Sequence, residues 1–111
     1  MKRFRDCKDY PKELKVGYRT YKIVPMAELE VEKSHFSGYL YPRDRIIKLS
    51  GEESVGEAAA ILLHEVLHAI WRMQEIDDTD EEMYVSNLAH GLATIIKDNP
   101  EVFKWISKNL A

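Results

Sequence analysis

Cysteine is almost missing from this chain: Cys7 stands alone among 111 residues. An intrachain disulfide is therefore excluded, and such sparse thiol content fits a reducing compartment. Long hydrophobic runs are missing too. The longest, Ala58 to Leu63, ends at His64, far short of the ~20 apolar residues that span a bilayer. The opening Met1-Lys2-Arg3-Phe4-Arg5-Asp6 is charged and lacks the apolar stretch of a secretion signal. A cytoplasmic protein with no membrane partner is the expectation. Nor is there a basic excess, since 16 Lys and Arg face 19 Asp and Glu for a net charge of −3. Proteins that neutralise phosphates usually show such an excess or a basic face. Here basic residues gather only between 2 and 22, mixed with Asp6, Asp9 and Glu13, so no nucleic-acid partner is expected. Internal repeats and low-complexity stretches are likewise absent.

What is present is a globular composition, 45% hydrophobic and 32% charged. At this length it makes a single domain over residues 1–111 with one core. The first half reads as strands. Val16 to Val24 is rich in β-branched and aromatic residues and ends at Pro25. Met26 to Lys33 is a helical turn or a connecting loop. Phe36 to Tyr41 and Arg45 to Leu49 form a hairpin around Tyr41-Pro42-Arg43-Asp44, with Gly38 marking a bulge or a close backbone approach. The second half reads as three helices. Ser54 and Glu57 make a capping-box pattern ahead of a helix from about Val55 to Gln74. Its apolar residues fall on more than one side, as in a central buried helix. After an acidic loop, Glu75 to Asp80, a second helix runs from about Asp80 to Lys97, with Val85, Leu88, Leu92 and Ile95 facing the core. Asn99 and Pro100 supply an N-cap and N1 for a terminal helix whose stripe is Val102, Phe103, Ile106 and Leu110. The fold class is α+β, a small N-terminal antiparallel sheet followed by three helices.

The central helix contains His64-Glu65-Val66-Leu67-His68, an H-E-x-x-H pattern. Residues i and i+4 project from one helical face, so both imidazoles reach a single Zn²⁺. Glu65 lies beside that face, where a carboxylate can serve as general base without ligating the metal. Chance places this pattern in roughly 1–2% of shuffled versions of the chain. Unpaired, these polar groups would be costly in a buried helix, and a bound cation removes that cost.

Zinc requires a further protein ligand. The extended H-E-x-x-H-x-x-G-x-x-H form is absent, because Trp71 and Gln74 stand where its glycine and histidine would be. Glu81 and Glu82 open the next helix, and spacing alone does not choose between them. Thr79 to Glu82 is also a capping box, which explains these glutamates without a metal. His90, two turns on, reads more simply as a core or surface histidine, and His35 as a surface one. Cys7 would reach the site only if the N-terminus folded over it. Tyr39, Tyr41 and Tyr84 are candidate donors to a tetrahedral intermediate, although tyrosines in strands more often pack. Trp71 reads as core.

These residues resemble the zincin metallopeptidases, specifically small gluzincin-like enzymes of the phage- or prophage-associated type. The resemblance covers roughly Tyr18 to Pro100. It rests on Arg45-Ile46-Ile47-Lys48-Leu49, on Leu63 to Ile70 around the motif, on the acidic loop, on Glu82 to Ala89 and on Asp98-Asn99-Pro100. It implies a glutamate on the following helix as third zinc ligand, which favours Glu82. It also implies an antiparallel sheet whose edge strand, around Arg45 to Leu49, binds extended peptide by strand addition. The Ala-Asn-x-Phe-Ala signature of repressor-cleaving relatives is only approximated by Ser86-Asn87-Leu88-Ala89, so a repressor substrate is not implied.

The resulting expectation is a zinc-dependent metallopeptidase acting on a peptide or protein. Zn²⁺ would be held by His64, His68 and Glu82, with Glu65 as general base. The alternative is a catalytically weak zinc-binding regulatory or interaction module that needs a partner. Its attraction is size, because about a hundred residues leave few elements to wall a substrate pocket. A nucleic-acid module lacks a basic groove.

Overall fold

The structure, a computed structural model, describes residues 2–34, 37–74 and 81–110, except for the side chains at 33, 34, 81, 82 and 85. A short 3₁₀ turn, Phe4–Asp6, precedes strands β1 (Glu13–Val16) and β2 (Arg19–Met26). Helix α1 (Glu28–Ser34) leads to β3 (Gly38–Tyr41) and β4 (Ile46–Ser50). Helices α2 (Val55–Gln74), α3 (Glu81–Asp98) and α4 (Pro100–Asn109) complete the chain. The α+β order read from the sequence holds, α2 and α3 begin and end within a residue or so of the expected positions, and α4 starts at the expected Pro100.

The strands differ more. The single strand expected over Val16 to Val24 is a hairpin. Its turn falls at Gly17, whose φ of 64° suits a residue without Cβ. β1, made of Glu13, Leu14, Lys15 and Val16, is short and carries two lysines or glutamates, which hid it from pattern reading. β2 in turn runs past Pro25 to Met26. Pro25 lacks a donor on the side where the Ile23 amide bonds Lys12, but the β1 register stops at Glu13 opposite Lys22, so no ladder bond is lost there. Met26 to Lys33 resolves into the end of β2 and α1.

The sheet order is β1-β2-β4-β3. β1 with β2 and β3 with β4 are antiparallel, while β2 and β4 run parallel. The sheet is therefore mixed, because the chain crosses over through α1 and β3 before β4 returns beside β2. This also relocates the edge. Ile46 to Ser50 is paired on both sides, and the edges are β1 and β3. The peptide-binding edge expected around Arg45 to Leu49 is thus an interior strand, with β3 outside it.

Alternate residues of the strands face the helices. Leu14, Val16, Tyr21, Ile23, Leu40, Ile47 and Leu49 meet Ala58, Leu62, Val66 and Ile70 of α2 in one core, closed by Ile95, Val102, Trp105 and Ile106. Each such large side chain contributes about 1.5–3 kcal/mol by burial. Trp105 was not foreseen, and Leu110, expected in the stripe of α4, is exposed. Asn99 precedes α4 but makes no side-chain cap. Its Oδ1 instead accepts the Lys15 amide at 2.7 Å, and its Nδ2 donates to the carbonyls of Lys15 (2.7 Å) and Ile95 (2.9 Å). The α3–α4 corner is thereby clamped to β1. Among the described residues no helix is long and apolar enough to cross a membrane.

Candidate metal centre

α2 begins as its sequence dictates, with the Glu57 amide donating to the Ser54 hydroxyl at 3.1 Å. From that start the helix buries Leu62, Val66 and Ile70 against the sheet and turns His64 and His68 outward. The two imidazoles meet edge-on one turn apart, their ring centroids 4.8 Å apart and their planes inclined by 67°, and their Nε2 atoms stand 3.1 Å from each other. Two nitrogens at about 2.05 Å from one tetrahedral zinc would be about 3.3 Å apart. The pair is therefore already spaced for a shared cation.

Glu65 behaves differently from the histidines that bracket it. It is only 4% exposed, and its carboxylate lies with the two histidine nitrogens inside a group spanning at most 4.8 Å. Among the described residues, its Oε2 has no hydrogen-bond partner. Burial pushes the carboxyl above its usual pKa, opposed by the charges of His68 and His64. A buried carboxylate with an oxygen unpartnered among the described residues, beside two converging imidazoles, fits a bound cation. His64, Glu65 and His68 form a group that can hold a metal ion.

The edge strand β3 walls this group. Tyr39 and Leu40 line one cavity of about 230 Å³ with Glu65, His68 and Arg72. Ser37 and Gly38 line a second, of about 340 Å³, with Ile61, His64 and Glu65. Glu65 thus belongs to both halves of a groove between β3 and α2. Gly38 makes the close approach anticipated from its place in the strand: a Cβ there would collide with Cγ2 of Ile61. Any larger residue would push the edge strand away from the motif.

Of the residues singled out by sequence, His64, Glu65 and His68 come together. Glu81 and Glu82 open α3, which packs against α2, but their side chains lie outside the described residues, as does His35. His90 is exposed on α3 and stands outside the group. Cys7 is buried in the core, its thiol donating to Asp9 at 3.0 Å, and has no place at the site. Tyr39 reaches the groove, its ring centroid 4.9 Å from that of Tyr41, whereas Tyr84 packs edge-on against half-buried Trp71. Sequence reasoning missed Arg72. The signal was available, because Arg72 follows His68 by the same four residues that separate His68 from His64.

Compared with protein-family models, with curated proteins and with solved structures, the chain finds no match in any of the three. The functional reading rests on the geometry and chemistry of the group itself.

Proposed function

We propose that this chain is a small zinc metallopeptidase. The observation that carries the reading is the buried Glu65 carboxylate, with an oxygen unpartnered among the described residues, within 4.8 Å of two histidine nitrogens that stand 3.1 Å apart. Paired imidazoles favour zinc among the available cations. His64 and His68 would hold it, with Glu82 on the facing helix as third protein ligand in line with the family resemblance. Bound there, zinc supplies Lewis acidity toward a scissile carbonyl and toward the attacking water. Glu65 takes the proton of that water and delivers it to the departing amine. β3 presents a sheet edge on the other wall of the groove, where an extended peptide would be held by main-chain hydrogen bonds.

Metal analysis of untagged protein purified without added metal tests the first half of this reading. About one zinc per chain is expected, reduced in Glu82→Ala. Digestion of a peptide library by zinc-loaded protein tests the second half. Cleavage that vanishes in Glu65→Gln while zinc stays bound supports the enzyme. Bound zinc with a blank digest favours instead a zinc-dependent interaction module, a reading consistent with the exposure of both histidines. Zinc neither bound nor taken up on titration would sink both.

A further inference from the structure

Arg72 lies one helical turn beyond His68 and is exposed. Among the described residues it has no hydrogen bond or ion pair, unlike Lys48, which is held by Glu30 at 2.7 Å. It lines two cavities at once: the groove that contains Glu65 and His68, and a neighbouring hollow of about 120 Å³. That hollow is closed by the β1–β2 turn. Tyr18 and Arg19 form one wall of it, and Ala69 and Met73 of α2 another. The Arg19 guanidinium lies 5.5 Å from the Tyr18 ring centroid. No acidic side chain among the described residues lines this hollow. Two arginines therefore line one small hollow that has no acidic side chain among its described lining residues, in a chain whose net charge is −3.

This local reversal of sign, beside the groove through Arg72, which lines both, points to the chemistry that would fill it. We propose that Arg72, assisted by Arg19, anchors a carboxylate of the peptide bound in the groove and so sets substrate specificity. Guanidinium groups bind carboxylates through paired N–H donors in a fixed fork, which gives direction as well as affinity. The proposal deepens the metallopeptidase reading and rests on it for the identity of the ligand as a peptide. Two sources of the carboxylate fit. β3 runs from Gly38, in the cavity with His64, to Leu40, in the cavity with His68. A peptide parallel to β3 brings its C-terminal carboxylate toward Arg72. An antiparallel peptide brings there an acidic side chain from its N-terminal portion.

The test uses the full-length, zinc-loaded Glu65→Gln protein, so that ligands stay intact, and calorimetric binding of N-acetylated peptides with one alanine-based core. One peptide ends in a free carboxylate, one in an amide, one in an amide with a single internal Glu, and one in an amide with a single internal Lys. At least one carboxylate peptide should bind about 10-fold or more tightly than the neutral amide, as a charge-assisted contact allows. Which of the two does so names the source. Adding Arg72→Ala should erase that preference while leaving the neutral peptide's affinity and the zinc content unchanged. Arg72→Glu should turn the preference toward the Lys peptide. Equal binding of carboxylate and amide peptides, or a preference that survives Arg72→Ala, overturns the proposal. An oxyanion role for Arg72 would instead lower turnover of all peptides alike in the Glu65 protein and leave binding unselective. If no peptide binds, the metallopeptidase reading fails separately. The anchor is then read from the Arg72 Nε resonance of metal-free protein titrated with succinate: a saturable shift retains it, and no shift removes it.

Discussion

Two buried polar side chains, Asn99 and Glu65, show opposite uses of the same expensive situation. Asn99 makes three hydrogen bonds with its side-chain amide, all to backbone groups of Lys15 and Ile95. Glu65 is more deeply buried, yet one carboxylate oxygen has no partner among the described residues. A satisfied buried amide holds elements together, here β1 against the α3–α4 corner. An unsatisfied buried carboxylate subtracts from stability, and it persists where something outside the folded chain completes it. The first is therefore a structural clamp, and the second belongs to the group that can hold a metal ion.

The sharpest way to test the contrast is Glu65→Gln. Peptide hydrolysis should fall by about 10²–10⁴-fold, while the metal-free protein should be as stable as the parent or more so, since a buried charge is removed. A denaturant melt beside an activity assay reads both. A loss of stability as large as that at Asn99 would erase the distinction. Asn99→Ala should behave inversely. About 2–4 kcal/mol of stability should be lost with the Lys15 backbone groups left unpaired, and zinc content should be unaffected in the protein that remains folded. A cost under about 0.5 kcal/mol, the scale of an ordinary surface change, would show that the clamp is idle.

Gly38→Ala probes the boundary between the two roles. The added methyl should cost about 1–3 kcal/mol by overpacking against Ile61, and shortening that neighbour in Gly38→Ala/Ile61→Ala should recover part of it. A fully additive double variant in urea melts would place the strain elsewhere. Cys7 gives the smallest effect, as a buried polar group with a single side-chain partner. Burial, then the hydrogen bond to Asp9, raises its pKa. Above about pH 8.5 the unfolded thiol ionises while the folded one keeps its proton, so folding stability should fall as pH rises through that window. Melts of the parent and Cys7→Ala at about pH 7.5 and 9.5 should differ in slope, the variant being flatter. Identical slopes would mean that the thiol ionises equally in both states.

Much of this was legible in the chain because it is local. The Ser54 cap, the apolar periodicity of α2 and α4 and the four-residue spacing of His64 and His68 depend on residues within a turn or two of each other. The hairpin of β3 and β4 was legible for the same reason, with its turn residues between two apolar runs. β1 was missed because four residues with alternating charge carry little pattern, and its partner is found only across the Gly17 turn. The parallel pairing of β2 with β4 was missed because no short-range signal encodes a crossover.

By itself the sequence determined the α+β fold class and the donor residues of the candidate metal site. H-E-x-x-H on a helix forces two imidazoles onto one face whatever surrounds them. Tertiary structure alone decided which strand borders that face, that Glu65 is buried while its neighbours are exposed, and that Arg72 and Arg19 share a hollow beside it. Those outcomes depend on contacts between residues dozens of positions apart. Chain periodicity can orient a side chain on its own element, but only packing brings a second element to meet it.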